Sequence, residues 1–317
     1  MTKKTARFNP AIDGPLAVAL VLALLLPLTR SLWHASSSLA AWLVDLASHW
    51  QWLWAALLGL VILNMARKAD RRRWLVCLPL VCLPWLTAAP RLPALEERAA
   101  GRNTLAAQLT LAVANVHVEN TDSAPLARWL REKSPDVLIV LELSPDYARQ
   151  MQALYPYRHE LPQHSPFGLG IYSRRPLTEL AINTNDLDVP QLRATLKLAG
   201  RDVRVVAFHP MPPLAPEFHA ERDHSFTQFV QFEAPQLIGG DLNASPWSSA
   251  FSNLCERPQS CLRRVTSLQP TWPSNGQGIF GIPIDHVLAS AHFSRVDSGL
   301  GPNIGSDHRP VWATVSF

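Results

Sequence analysis
The order of hydrophobic and polar positions divides this chain in two. Uncharged stretches of 16, 21 and 17 residues run between Asp13 and Arg30, between Asp45 and Arg67, and between Arg73 and Arg91. A helix that crosses a bilayer needs about 20 predominantly apolar residues, with a range near 17–25. The middle stretch meets that length alone, and the outer two approach it. Pro15, Pro27, Pro79 and Pro84 interrupt the pattern, but lipid-embedded helices tolerate proline better than soluble ones do. A soluble domain of this size would not easily bury so much apolar sequence. The pattern therefore predicts an all-α transmembrane region over 1–90 of about three helices, with spans near 12–30, 46–66 and 74–90. A cleaved signal peptide over Met1 to about Ala41 is the competing reading, because Lys3, Lys4 and Arg7 precede the run LAVALVLALLLPL. No compelling small-x-small cleavage site follows that run.

Beyond a polar linker over 91–108 the periodicity changes, and short β-like runs alternate with amphipathic helical ones. Strands are predicted at Leu109–Val118, Asp136–Leu143, Leu169–Ser173, Leu192–Leu198, Val203–Phe208, Gln236–Ile238, Ile284–Ala289 and Pro310–Phe317. Asp136–Leu143 is apolar enough to be buried on both faces. Helices are predicted at Pro125–Lys133, Pro145–Leu154 and Pro246 to about Leu254, while Leu214–Glu233 is left open between loop and helix. Residues 109–317 thus form one mixed α/β domain, without internal repeats.

Charge sharpens the division. Positions 1–103 hold 12 Lys and Arg against 5 Asp and Glu, and positions 104–317 hold 17 against 20, so balances of +7 and −3 give the net +4. The excess of positive charge is confined to the first third and is no argument for nucleic-acid binding by the rest. Seven of the eleven Trp residues also lie in that third, as expected of aromatic side chains at a membrane interface. The segment Arg67–Arg73 carries five positive charges, and short loops rich in Lys and Arg stay in the cytoplasm. With the basic amino terminus also inside, an odd number of crossings delivers the α/β domain to the outer side. Cys255 and Cys261 have a spacing that suits a small disulfide loop in an oxidising compartment, the other reading being two unrelated thiols.

Polar residues gather where apolar strands stop. Asn115 interrupts LAVANVHV, Glu142 closes VLIVLEL, and His209 closes VRVVAFHP. Asp241 and Asn243 stand in GDLNASPWS, Asp285 opens DHVLAS, and Asp307 and His308 stand in GSDHRPV. Each has a bland explanation alone: Asp after Gly-Gly forms turns, and Asn in a strand satisfies backbone groups. Carboxylates, amides and two imidazoles at the same kind of place argue for a shared site.

In this order the segments resemble the endonuclease/exonuclease/phosphatase superfamily, over about Leu109 to Phe317. GDLNASPWS and GSDHRPV are the most discriminating pieces; QPTWP (Gln269–Pro273) and the loop bearing Cys255 and Cys261 resemble a bacterial, membrane-anchored branch. The resemblance implies a four-layered α/β sandwich of two packed β-sheets flanked by helices. It implies Mg²⁺, with Mn²⁺ as the alternative, held principally by Glu142 and completed or buttressed by Asn115 and Asp307. His308 is implied as general base, oriented by Asp285, with Asp241 and Asn243 in phosphate binding and transition-state stabilisation. The resemblance also allows Asp241 as the base. His209 is implied as a phosphate contact or as the acid for the leaving oxygen, and Arg193 is a candidate substrate contact whose bland reading is a solvated strand residue.

The expectation is a phosphoester hydrolase, with phosphodiesters favoured, anchored as a multi-pass protein in a bacterial inner membrane with a periplasmic site. Its substrate would be a lipid head group or another envelope phosphoester. An extracytoplasmic endonuclease is the alternative, weakened because nonspecific DNA binding draws on several Lys or Arg contacts. An inactive membrane binding or sensory protein is the second alternative, weakened because no expected catalytic side chain is missing.

Overall fold
The computed structural model describes residues 10–66, 69–88, 107–232, 234–255, 258, 260–275 and 281–317. Lys3, Lys4, Arg7, Arg67, Lys68 and the linker up to residue 106 lie outside the described residues.

The first third is helical. Helix α1 (Pro10–Leu25) continues through a 3₁₀ turn at Leu26–Thr29 into α2 (Arg30–Trp33). The turn tightens at Pro27, which has no N–H to give an α-helical ladder. Asp13–Trp33, 21 residues of mean hydropathy 2.0, is long and apolar enough to cross a membrane. The uncharged stretch 46–66 is not one helix: α3 (Leu39–Ser48) and α4 (Gln51–Ala66) meet at a 66° bend. A 3₁₀ segment, Ala69–Cys82, and α5 (Leu83–Thr87) return the chain. Helix α4 runs back along α1: the side chain of Gln51 donates to the Ala23 carbonyl, and Ala17, Leu20 and Leu24 pack with Leu58 and Ile62.

The remainder builds two six-stranded sheets. The first holds β1 (Gln108–Asn115), β2 (Val137–Leu141), β3 (Tyr157–Leu161), β4 (Leu169–Ser173), β11 (Ser294–Leu300) and β12 (Val311–Ser316), in the order β11-β12-β1-β2-β4-β3. The second holds β5 (Thr178–Thr184), β6 (Pro190–Leu198), β7 (Arg201–Phe208), β8 (Gln236–Asp241), β9 (Leu262–Arg264) and β10 (Asp285–Ser290), in the order β5-β6-β7-β8-β10-β9. Within each sheet one central pair is parallel, β1 with β2 and β7 with β8.

The period of two along a strand sorts side chains into layers. Val113, Ile139, Val205, Leu237 and Val287 fill the core between the sheets. The intervening Ala112, Leu138 and Val140 meet α6 (Ala124–Lys133) and α7 (Pro145–Met151) on one outside. Val206, Ile238 and Leu288 meet α8 (Pro216–Thr227) on the other. Two helical layers around two sheets make the expected four. A Cβ at Gly240 would lie 1.8 Å from the Phe208 carbonyl oxygen, so the Gly-Gly before Asp241 is a packing requirement of this sheet.

Two local expectations change. Pro246 to Leu254 is no helix, and only Ser249–Phe251 makes a 3₁₀ turn. Serine side chains and Asp45 take the backbone donors a helix would use: Ser248 Oγ accepts from Ala250 N, and Asp45 Oδ1 accepts from Ser249 N. Conversely, Pro216–Thr227 is a helix, with proline at its first position.

The helical third is docked on the second sheet's outer layer by a fully buried polar cluster. Arg222 Nη2 on α8 lies 2.7 Å from both Asp45 Oδ2 on α3 and Asp223 Oδ1. Asp45 Oδ1 also accepts from Ser249 Oγ at 3.0 Å, and His219 Nε2 meets the same hydroxyl at 2.9 Å. Trp247 donates its indole N–H to the Pro84 carbonyl, and Arg30 donates to the Thr87 and Pro246 carbonyls.

Candidate active site
Because β1 and β2 are parallel and β12 runs against β1, the carboxyl ends of β1 and β2 and the start of β12 share one rim. The ends of β7 and β8 and the start of β10 share the matching rim of the other sheet, where Asp285 pairs in register with Asp241. Asn115, Glu142, His209, Asp241, Asp285, Asp307 and His308 therefore converge from six strand termini. Glu142, His209, Asp241, Asn243, Asp307 and His308 line a cavity of about 530 Å³, and Asn115 and Asp285 are bonded to Glu142 and His308.

Asn115 is the seam between the sheets: its amide donates to Glu142 Oε1 at 2.9 Å and to Asp241 Oδ2 at 3.3 Å. Glu142 also accepts from Val118 N through its other oxygen. Glu142 and Asn243 both sit at positive φ, 56° and 48°, in the left-handed region that non-glycine residues seldom adopt. Such conformations persist where neighbours over-determine them, which is common at functional sites. At Asn243 the neighbours are explicit: its N–H donates to Asp241 Oδ1, its amide to the Pro210 carbonyl, and its own carbonyl accepts from Arg222.

His308 Nδ1 lies 2.9 Å from Asp285 Oδ2, and its Nε2 lies 3.6 Å from Asp241 Oδ2. His209 Nε2 approaches the same Asp241 oxygen at 3.5 Å, while its Nδ1 meets the Pro166 carbonyl. Burial disfavours charge on the His308 ring, but the Asp285 and Asp241 carboxylates outweigh it and hold the pKa up at about 10. Burial opposes ionisation of Asp241, yet the two imidazoles hold its pKa down at about 2. Burial also pushes the Asp285 carboxyl up against the pull of His308. His209 is raised despite burial by its contact with Asp241.

Asp241, Asp285 and His308 place their ligand atoms close enough to share a metal ion. The 2.9 Å bond already occupies His308 Nδ1, so these three are read as a base with its partners. The residues better suited to a hard divalent cation are Glu142 and Asp307. Asp307 Oδ2 accepts from Trp272 Nε1 at 3.0 Å, whereas its Oδ1 is buried without a hydrogen-bond partner. Oxygen donors of this kind suit a hard divalent cation.

Arg193 is not part of this site. Leu192 and Ala194 face the inter-sheet core, so Arg193 points to the opposite face, where it bonds Asn183 on the edge strand β5. Other residues of the site escape sequence reasoning. Thr271 Oγ1 accepts from Ile284 N and Asp285 N, so QPTWP braces both Asp285 and, through Trp272, Asp307. Arg222 reaches Asn243 from α8, within the stretch Leu214–Glu233 that the sequence leaves open between loop and helix.

Two facing sheets with a His–Asp pair and a carboxylate-rich cavity at one rim define a phosphoesterase of nuclease-like architecture. Residues 112–308 match the model of the Endonuclease/Exonuclease/phosphatase family, and the chain belongs to that family. The crystal structure of the endonuclease/exonuclease/phosphatase from Beutenbergia cavernae is similar, 18% identical with a TM-score of 0.56 over 67% of this chain and 72% of that one. So is a D. rerio TDP2 humanized by 14 mutations, at 18% identity and TM-score 0.56 over 66% of this chain and 99% of that one. A family protein from Leptotrichia buccalis is 16% identical, with a TM-score of 0.54 over 66% of this chain and all 100% of that one. At such identities the likeness concerns the fold. Among curated protein sequences there is no match.

Proposed function
We propose that this chain is a membrane-tethered, Mg²⁺-dependent phosphoester hydrolase, with phosphodiesters as preferred substrates and its active site outside the cytoplasm. The observation that carries the chemistry is the 2.9 Å bond between Asp285 and His308, which turns the other ring nitrogen towards the cavity beside Asp241. Attack on a phosphodiester is slow because anionic oxygens repel the nucleophile and negative charge builds on the phosphoryl group; preorganised positive charge and donors lower that barrier. Asp285 fixes the tautomer and orientation of His308, which takes the proton of the attacking water through Nε2. Asn243 and His209 hold phosphate oxygens, and the raised pKa of His209 equips it to protonate the leaving oxygen. Glu142 and Asp307 would hold the ion, which when bound supplies positive charge against the phosphate oxygens. The Asp285 and Asp241 carboxylates hold the His308 pKa up at about 10. An ion held by Glu142 and Asp307 would add positive charge that lowers it towards the neutral range in which an imidazole serves as base.

The tether is supported by the apolar segment Asp13–Trp33 and by the two antiparallel returns that follow it. Arg30 and Thr87 meet at the catalytic side, whereas Ala66, after which the basic segment Arg67–Arg73 follows in sequence, is at the other end of α4. Basic loops favour the cytoplasmic face, which leaves the hydrolase outside. The Cys255–Cys261 disulfide fits an oxidising compartment. An endonuclease reading is not favoured, because no Lys or Arg is among the described residues that line the cavity.

The test is hydrolysis of a 4-nitrophenyl phosphodiester by the full chain in lipid nanodiscs with Mg²⁺, beside His308→Ala. Equal rates for the two proteins reject the assignment. For orientation, an impermeant thiol reagent should leave a cysteine introduced between Arg67 and Arg73 unlabelled in intact cells.

A further inference from the structure
The apolar half of the active-site cavity has no place in phosphate chemistry. The same cavity is lined by Leu46 on α3 and Trp50 in the turn before α4, and by Met211 and Leu214 from the loop after His209. These two pieces are joined, since Trp42 Nε1 donates to the Pro213 carbonyl at 2.8 Å. They are also immobilised relative to the catalytic groups. Asp45, next to Leu46, is bonded at 2.7 Å to Arg222, and Arg222 donates at 2.9 Å to the Asn243 carbonyl. One buried guanidinium thus fixes both the apolar wall and a phosphate-binding residue.

The size and polarity of the cavity narrow what fills it. A phosphate group takes up the room of a few waters, each with roughly 30 Å³ of liquid volume, against about 530 Å³ here. A polyanion would need Lys or Arg side chains along its path, and neither is among the described residues of the lining. The apolar surface also continues past the rim: Leu214 is 75% exposed, and Leu39 and Leu43 on α3 are 61% and 51% exposed. Leu39, Leu43 and Leu46 recur at i, i+4 and i+7, so they share the face of α3 that leads away from the cavity wall. Contiguous exposed apolar surface of this kind marks a binding groove or a membrane contact.

We infer that Leu46 and Trp50 are specificity-determining residues, binding the hydrocarbon chain of an amphiphilic phosphoester whose phosphate rests against His308 and Asn243. The inference rests on the hydrolase reading above and deepens it: the helical third is part of the substrate site as well as a tether. The substrate class is a membrane lipid phosphoester whose chain lies along α3 while its head group reaches the strand ends.

The experiment compares methyl and hexyl 4-nitrophenyl phosphate, which share a leaving group and differ only in chain, with the full chain in nanodiscs and Mg²⁺. Wild type should show at least a tenfold higher kcat/KM for the hexyl ester. Leu46→Ser and Trp50→Ala should each shrink that ratio at least threefold, as should Leu214→Ser, which sits on an exposed loop and keeps the test valid if a helix variant does not fold. A wild-type ratio near one, or a ratio untouched in folded variants, overturns the inference. Binding of hexylphosphonate against methylphosphonate to His308→Ala protein, by calorimetry, separates the two claims. Tighter hexyl binding, weakened by Trp50→Ala, upholds the chain site even where no ester is hydrolysed, and equal binding of the two overturns it.

Discussion
Asp285 Oδ2 lies 2.9 Å from His308 Nδ1, and this one contact decides which ring nitrogen faces the cavity. Losing the base and losing its orienter should therefore have effects of similar size. His308→Ala is expected to lower kcat by about 10²–10⁴, the usual contribution of a positioned acid or base. Asp285→Asn keeps the shape but lets the ring adopt the wrong tautomer, and should lose a comparable factor with KM little changed. Steady-state kinetics on a 4-nitrophenyl diester decide it. A Asp285→Asn protein with wild-type kcat would remove Asp285 from the mechanism.

Glu142 is held through one carboxylate oxygen by the Asn115 amide and through the other by the Val118 N–H. Its carboxylate is thus oriented before any ion arrives. Glu142→Gln preserves the volume and one acceptor oxygen but removes the charge, so it should raise the Mg²⁺ concentration for half-maximal activity at least tenfold. Chelation of divalent ions should abolish wild-type turnover, with recovery on adding Mg²⁺ or Mn²⁺. Full activity in excess chelator would contradict the assignment of Glu142 and Asp307 as ion ligands.

Arg222 sits between two carboxylates, and the asymmetry of the cluster gives an ordered prediction. Removing Arg222 leaves Asp45 and Asp223 buried without their cation, whereas removing the Asp45 charge leaves Arg222 still paired with Asp223 at 2.7 Å. Breaking a buried pair from one side costs about 3–5 kcal/mol. Arg222→Met should accordingly lower the thermal midpoint in nanodiscs more than Asp45→Asn does, and should also depress activity through the Asn243 loop. Tryptophan fluorescence during heating reads the order, and the reverse order would contradict the pairing.

The central strands were legible in the sequence and the edges were not. β1, β2, β4, β6, β7, β8, β10 and β12 are buried on both faces or nearly so, which makes apolar runs that periodicity detects. The four strands that escaped, β3, β5, β9 and β11, are the four sheet edges. An edge strand such as Thr178–Thr184 is largely exposed and carries polar residues that guard an unpaired ladder, so its pattern resembles a loop. The same logic applies to the site. Residues at the ends of buried strands stood out as polar interruptions of apolar runs. Asp45, His219, Arg222 and Asp223 did not, because their partners lie 177 residues away in the case of Asp45 and Arg222. Asp45 entered only as the end of an uncharged stretch. Arg193 failed for a related reason: alternation placed it on a strand, but not on which face.

His286 provides a pH prediction independent of turnover. Its ring is fully buried: Nε2 meets the Ala244 carbonyl at 2.9 Å, Nδ1 is without a hydrogen-bond partner, and the Phe251 ring lies 5.2 Å away. Burial above all, with Arg264 adding to it, lowers its pKa to about 3 from an ordinary 6.5. The folded protein therefore keeps this imidazole neutral while the unfolded chain protonates it. Between those two values the unfolded state binds the extra proton, so stability falls as pH falls, by about 1.4 kcal/mol per pH unit from this group. Above pH 6.5 neither state is protonated, and His286 contributes no slope. His286→Gln, with an amide in place of the ring and no titration, should be less stable than wild type at pH 7.5 yet lose less on going to pH 5. Thermal midpoints of the two proteins across that range measure the difference directly, and parallel pH profiles would show that His286 is not buried in its neutral form.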